Sequence, residues 1–236
     1  MFEELEGFRH EFKYIEPEIN LIAVESRLKA IMKRDSHVGS TGFYSIRSLY
    51  FDDFNDVLLY HNIDGIDERI KWRIRIYNSN ANFISLERKI RKSDLIRKQA
   101  CSIDVQTYNK IIKREARISD SNPALLNLFI GEILTTGLGP ATIVEYDRTP
   151  FVCNEGNVRV TIDRNIRSSV ELDRFLSGET LNARPVLMSG QNLIEVKYDS
   201  YLPDHIAHAI EHGRMRRETF SKYNLARRYP HGRRRI

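Results

Sequence analysis

The sequence predicts an α+β fold: about eight strands in one large antiparallel sheet, with helices lying outside the strand runs. Two observations predict it. Alternating polar and apolar residues recur along the chain, most plainly in "KWRIRIY" (71–77), where Lys71, Arg73, Arg75 and Tyr77 alternate with Trp72, Ile74 and Ile76. In addition, "DERIKWRIRIYN", "ANFISLERKIR" and "DLIRKQACSI" follow one another with only turn residues between them, the pattern of an antiparallel meander. An up-and-down barrel is one way for such a sheet to remove its edges.

In order, "FRHEFKY" reads as a strand, and Pro17 then opens a helix whose apolar stripe is Ile19, Ile22, Leu28 and Ile31. "GFYSIRSLYFDD" is a second strand, followed by a short helical piece and the meander. Two helices fill 104–134; "PALLNLFIGEIL" is too short and too polar, with Asn127 and Glu132, to cross a membrane and reads as a core-facing helix. "ATIVEYDRTPFVC", "NVRVTIDRNIRSS" and "NLIEVKY" add strands, and helices at about 203–213 and 218–229 close the chain. With no repeat and no low-complexity linker, residues 1–229 read as one domain and 230–236 as a basic tail.

Composition narrows the partners. In 236 residues, 41% hydrophobic residues and 10% aromatics suffice for a core. Lys and Arg number 37 against 32 Asp and Glu, a net charge of +5 that favours an anionic partner. The start, "MFEELEGFRHEFKY", lacks the basic end and apolar run of a secretory signal, and Cys101 and Cys153 form neither a disulfide framework nor a zinc site, so a cytoplasmic, reduced protein is expected.

Side chains two apart on a strand share a face, so each run can be sorted by parity. Glu11 and Lys13 stand opposite Phe12; Arg73 and Arg75 opposite Trp72 and Ile74; Glu87 and Lys89 opposite Leu86 and Ile90, with Arg88 interrupting that apolar face. Tyr146 pairs with Arg148. Arg159, Thr161 and Asp163 stand opposite Val160 and Ile162, and Glu195 and Lys197 opposite Ile194 and Val196. Six strands thus carry a cation on one face. An exposed sheet would account for mixed charges, but arginine is over-represented, and its planar fork suits bidentate contact with phosphate oxygens. Parity leaves open whether this face meets water or closes inward. Cations and stacking aromatics are not interleaved as single-strand binders prefer, so no nucleic acid is expected.

The motifs "HEFKY", "SLYFDD", "KWRIRIY", "LERK", "EYDRTPF", "VRVTIDRN", "LIEVKY" and "FSKY" stand in an order that resembles the polyphosphate polymerase domain of the vacuolar transporter chaperone (VTC) family, within the triphosphate tunnel metalloenzyme (CYTH-like) superfamily. The resemblance implies an eight-stranded antiparallel barrel whose interior forms a tunnel for triphosphate or polyphosphate. Carried over position by position, Arg73 and Arg75 match paired tunnel arginines, Lys89 the next strand's lysine and Arg97 a basic position beyond it. Tyr146, Arg148 and Arg159 match the far wall, Glu195 the metal-binding glutamate, Ser221 and Lys222 the closing helix, and Lys13 the first-strand lysine; Lys197 joins the substrate-binding group. The implied activity is transfer of the ATP γ-phosphoryl group to phosphate or a growing polyphosphate end with Mn²⁺ or Mg²⁺. The alternatives are a triphosphate or nucleoside-triphosphate hydrolase of the same fold and a non-catalytic polyphosphate-binding module. A separate membrane-protein partner at the inner face of a membrane is also implied.

Two departures from the family pattern stand out. The hydrolytic branch opens with Glu-x-Glu-x-Lys, whereas this chain has Arg9, Glu11 and Lys13, which moves the expectation toward the polymerase branch. Thr219 replaces a lysine, for which Arg216 or Arg217 would compensate.

Overall fold

In the computed structural model, which describes residues 7–211 and 215–228, the sheet closes on itself. The chain runs β1 (Arg9–Pro17), α1 (Glu18–Ile31), β2 (Lys33–Arg34), β3 (Tyr44–Asp52), α2 (Val57–Ile63), β4 (Glu68–Tyr77), β5 (Asn80–Lys92), β6 (Leu95–Ile103) and α3 (Val105–Ile112). It continues through α4 (Ala124–Thr136), β7 (Gly139–Cys153), β8 (Val158–Ser169), β9 (Arg184–Pro185), β10 (Gln191–Tyr198), α5 (Asp204–Ile210) and α6 (Lys222–Arg228). Eight strands form a ring in the order β7-β3-β4-β5-β6-β1-β10-β8, all neighbours antiparallel. The β7–β8 ladder, from Ile143↔Ser169 to Cys153↔Val158, closes the ring. Its thinnest seam is β1–β6, where only Arg9↔Ile96 and His10↔Leu95 pair. The two-residue strands β2 and β9 are appended to β7 and β8.

Parity explains why the ring is stable. The apolar sides of β4 and β5 (Trp72, Ile74, Leu86) face outward onto α3 and α4, where Trp72 and Phe51 meet the Phe129 ring at 4.8 and 5.0 Å. On the opposite wall Val160, Ile162, Ile194 and Val196 pack against α1 and α5. The hydrophobic core is therefore largely a jacket around the ring, and the polar faces are left to the interior. Arg88, the exception on β5, lies over the Trp72 ring at 5.6 Å, so its stem packs while its charge meets a π face. Local signals agree: Asp104 caps α3 by accepting the Thr107 amide at 2.7 Å, and Asn78 and Ser79 both take positive φ in the tight β4–β5 hairpin.

Two expectations need correction, and a third falls outside the described residues. The α1 stripe is Leu21, Val24 and Leu28, while Ile19 and Ile22 are 73% and 56% exposed and Ile31 is also exposed. Leu21, Val24 and Leu28 are fully buried in the core that α1 shares with β8 and β10, and Arg164 holds the helix in the same rotation by reaching Glu18 at 3.0 Å and Glu25 at 2.9 Å. Both closing helices are shorter than expected, at Asp204–Ile210 and Lys222–Arg228. The basic tail 230–236 lies outside the described residues.

Phe129 is fully buried between two aromatic rings. Phe129→Ala is expected to cost about 3–5 kcal/mol of unfolding free energy, read as a lower urea midpoint with an unchanged denaturant slope.

Candidate anion-binding cavity

The inward faces of the ring enclose a cavity of about 440 Å³. Eleven lysines and arginines line it against two carboxylates, Glu11 and Glu195, with five tyrosines between them. The cationic side of the strands therefore faces inward. A smaller hollow of about 60 Å³ shares Glu11, Lys13, Lys71, Lys89 and Ser221 with the cavity and adds Arg69 and Arg91.

Of the twelve residues singled out from the sequence, eleven line the cavity: Lys13, Arg73, Arg75, Lys89, Tyr146, Arg148, Arg159, Glu195, Lys197, Ser221 and Lys222. Arg97 does not. It shares the outward face of β6 with Cys101 and Ile103, which pack on the outer core, and its guanidinium lies over the Phe8 ring at 5.0 Å. Lys98, one residue on, takes the inward place and reaches Glu87 at 3.2 Å. Neither expected substitute for a lysine at position 219 enters the cavity lining; Arg217 pairs with Asp94 at 3.2 Å and lies over Phe12.

Buried carboxylates brace the cations from behind. Arg73 donates to Glu87 through Nε at 2.7 Å and to the Tyr50 hydroxyl at 3.2 Å, while Arg75 donates to Ser48 Oγ and to the Tyr146 hydroxyl, each at 3.1 Å. Arg148 makes a bidentate pair with Asp163, both bonds 2.7 Å, and also reaches Glu195 at 3.2 Å. Lys222 joins this group at 2.7 Å from Asp163 and 2.9 Å from Glu195. Arg159 is held by the Tyr44 hydroxyl at 3.0 Å and Asp35 at 2.8 Å. Burial alone would raise Glu195, but Lys222, Lys197, Lys13 and Arg148 hold it well below the usual carboxylate range. Glu11 is likewise held low against burial by Lys13, Lys89 and Lys197.

Parity puts Lys71 on the cationic face without giving it a site role. Lys71 donates to Ser221 Oγ at 2.8 Å and stands directly across from Lys89, which stands across from Lys98. Three lysines thus form a ladder across β4, β5 and β6. Burial, with Lys13 and Lys89 beside it, pushes Lys71 well below its ordinary value. Sequence reasoning also misses Tyr44 and Tyr50: they sit on alternate positions of β3, but as aromatic residues they look like core. Glu87 and Asp163 lie on the cationic faces that parity assigns them, where they balance the arginines.

These features define a class: a ring of antiparallel strands around an enclosed cationic hollow braced by buried carboxylates. Residues 8–230 match the VTC domain, and the chain belongs to that family. Solved structures similar to it include a candidate adenylate cyclase from Bacillus halodurans, with TM-score 0.48, 12% identity, and 86% of this chain and 87% of that one covered. PH1819 from Pyrococcus horikoshii gives TM-score 0.47 and 14% identity, covering 92% of this chain and 96% of that one. HpAC1 from Hippeastrum, described as having a dominant triphosphatase activity, gives TM-score 0.44 and 12% identity over 85% of this chain and 82% of that one. No curated protein matches the chain.

Burial pushes the Lys89 ammonium from its ordinary 10.5 down to about 7, although Glu11 opposes this. Between those two values the unfolded chain binds more protons than the folded one, so stability rises with pH across the window. The melting temperature of the anion-free protein is expected to climb from about pH 7 toward pH 10. Lys89→Met should flatten part of that climb in a pH series of thermal scans, with Lys71 and Lys197 supplying the remainder.

Proposed function

We propose that the protein is an ATP-dependent polyphosphate polymerase that works inside this cavity. The observation that carries the reading is the concentration of eleven lysines and arginines around a hollow that, among the described residues, is lined by two carboxylates, in a chain of the VTC family. In the transfer, the bond between the γ-phosphorus and the bridging oxygen of ATP breaks, a bond to an oxygen of phosphate or a polyphosphate end forms, and ADP leaves. The attacking oxygen is already anionic near neutral pH, so no general base is required. What the site must supply is alignment and neutralisation of two polyanions that repel one another.

Each proposed role follows from the bracing. Glu87 and Asp163 fix the planes of Arg73 and Arg148, so these guanidiniums meet phosphate oxygens without reorganising. Arg75 and Arg159, tied to tyrosine hydroxyls, would grip the chain alongside them. Lys89 and Lys222 would add charge near the reacting group, with Lys13, Lys197, Tyr146 and Ser221 binding the rest of the substrate. Ser221 acts as a hydrogen-bonding group, not a nucleophile.

The donor set also tests for a metal. Among the described residues no cluster of three His, Cys, Asp or Glu side chains could hold an ion. A protein cage therefore does not fit, whereas Mg²⁺ or Mn²⁺ bound through one carboxylate plus phosphate oxygens does. Glu195 would hold the ion, which when bound would neutralise charge on the phosphate oxygens. Among the described residues no helix is long and apolar enough to cross a membrane. A separate membrane-protein partner that receives the product is part of this proposal, and co-purification would reveal it.

The decisive assay is incubation with ATP and Mn²⁺ followed by gel analysis for polymer. Arg73→Ala with Arg75→Ala is expected to abolish chain growth, each lost charged hydrogen bond costing about 1.5–3 kcal/mol of binding, and to lower the melting temperature because Glu87 is left buried with Lys98 as its remaining ion-pair partner; the assay is therefore run well below that temperature. An unchanged rate in the double variant would falsify the assignment of these arginines. Free phosphate without chain growth would establish a hydrolase, and binding of ATP without turnover a binding module. Tripolyphosphate should also raise the melting temperature, because crowded cations repel until an anion fills the cavity.

A further inference from the structure

Two motifs noted in the sequence, "SLYFDD" and "FSKY", meet in space through residues that the proposed mechanism does not use. Tyr223, the last residue of the second, donates its hydroxyl hydrogen to Asp52 Oδ2 in the first. Asp52 also accepts the backbone N–H groups of Asp53, Leu58 and Leu59, each at 2.9 Å, so one carboxylate ties the end of β3 and the start of α2 to α6. Both partners are buried, Asp52 at 4% and Tyr223 at 2% exposure. The Tyr50 ring stacks on Tyr223 at 5.2 Å. One turn further along α6, Arg227 pairs with Asp56, so the same helical face is pinned twice.

The pinning matters because of what precedes Tyr223. Lys222 is the α6 residue that reaches Asp163 and Glu195, and Ser221, next to it, receives Lys71. Residues 215–221 leading into α6 have no regular structure, so the start of the helix is not held by a preceding element. Once phosphates enter, their oxygens would compete with Asp163 and Glu195 for the Lys222 ammonium. Something outside the cavity must then keep the lysine aimed at the phosphates.

We propose that Asp52 is a positioning residue which, through Tyr223, latches α6 so that Lys222 and Ser221 stay in the cavity. Asp52 does not line the cavity, whereas the Tyr223 ring it holds does, so any effect of Asp52 on a bound anion passes through Tyr223 and the helix. Tyr223→Phe keeps that ring in place while removing only the hydroxyl that Asp52 accepts. The inference rests on the reading of the cavity as a phosphate site.

The test is calorimetric titration of tripolyphosphate into wild type, Lys222→Ala, Tyr223→Phe, Asp52→Asn and the two double variants that combine each latch change with Lys222→Ala. All are measured well below their melting temperatures. Lys222→Ala is expected to weaken binding about tenfold or more. Tyr223→Phe and Asp52→Asn should weaken it several-fold in the wild-type background but less than about twofold once Lys222 is gone, the non-additivity of one coupled unit. A structural role alone would lower the melting temperature and leave this coupling at zero. If both latch variants bind as tightly as wild type, or lose as much affinity without Lys222 as with it, the latch is overturned and the phosphate site stands. Should Asp52→Asn not fold, Tyr223→Phe, which removes a single oxygen, distinguishes the same two outcomes. Absence of binding by wild type would instead overturn the phosphate site, and the latch with it.

Discussion

Everything in this molecule follows from enclosing cations inside a sheet. Removing an ion from water costs several kcal/mol even after relaxation, so a ring lined by lysine and arginine cannot close unless carboxylates are buried with them. Glu11, Glu87, Asp163 and Glu195 meet that requirement, all four nearly inaccessible to solvent. Glu87 shows the balance of forces: burial would raise its carboxyl, yet Arg73, Arg75 and Lys98 hold it far below the ordinary range. Such pairs offset a cost and contribute little net stability. Stability has to come from the opposite faces of the same strands, where Trp72, Ile74, Val160 and Val196 are fully or almost fully buried under helices. The alternation that makes the interior expensive is the same alternation that supplies the jacket.

The compensation is uneven around the ring. On the wall built from β7, β8 and β10, Arg148, Lys222, Asp163 and Glu195 form a network in which each cation touches both carboxylates. Across the ring, the ladder Lys71, Lys89 and Lys98 places like charges directly opposite on neighbouring strands, an arrangement that destabilises a sheet. Glu11 and Glu87 answer Lys89 and Lys98, but Lys71 is bonded to a serine hydroxyl. The cavity therefore has one balanced wall, suited to fixing groups in place, and one wall of crowded lysines whose charged forms burial disfavours and an incoming polyanion would favour. That asymmetry explains how burial can push Lys71 and Lys89 downward while Lys222, equally enclosed, is pushed upward by Asp163 and Glu195.

Most of this was legible because a strand's period of two is rigid. Once Trp72 and Ile74 are assigned to a core, Arg73 and Arg75 have no choice of face, and six strands repeat the same sorting. What parity could not supply was direction, since water and an enclosed hollow demand the same pattern. Arg97 entered through the resemblance alone and not through parity; counting from Cys101 and Ile103 sends Arg97 outward and Lys98 inward. The α1 stripe failed for a different reason. That helix carries isoleucine and leucine on more than one face, and which face packs is decided by partners far away in sequence, the strands β8 and β10 and Arg164, which pairs with Glu18 and Glu25. Tyr44 and Tyr50 escaped because aromatic residues on a strand signal core, and only closure of the ring shows that they share the cavity with arginines.

The first strand bears on which chemistry the cavity can support. Arg9 occupies a position where the hydrolytic branch is expected to carry a second acid, and the surroundings show that this is more than a single exchanged residue. Its Nε donates to Asp199 at 2.7 Å, its Nη2 donates to the carbonyl of Asn157, and it lines the cavity. A glutamate placed there would confront Asp199 and a carbonyl oxygen, so the end of β10 and the turn before β8 are fitted to a cation. Among the described residues the carboxylates lining the hollow are Glu11 and Glu195, and both are engaged by Lys13 and Lys197. On the proposed reading, a divalent ion could compete with those lysines only when phosphate oxygens complete its shell. Metal residence would then depend on substrate residence, coupling charge neutralisation to the moment at which two polyanions must be brought together.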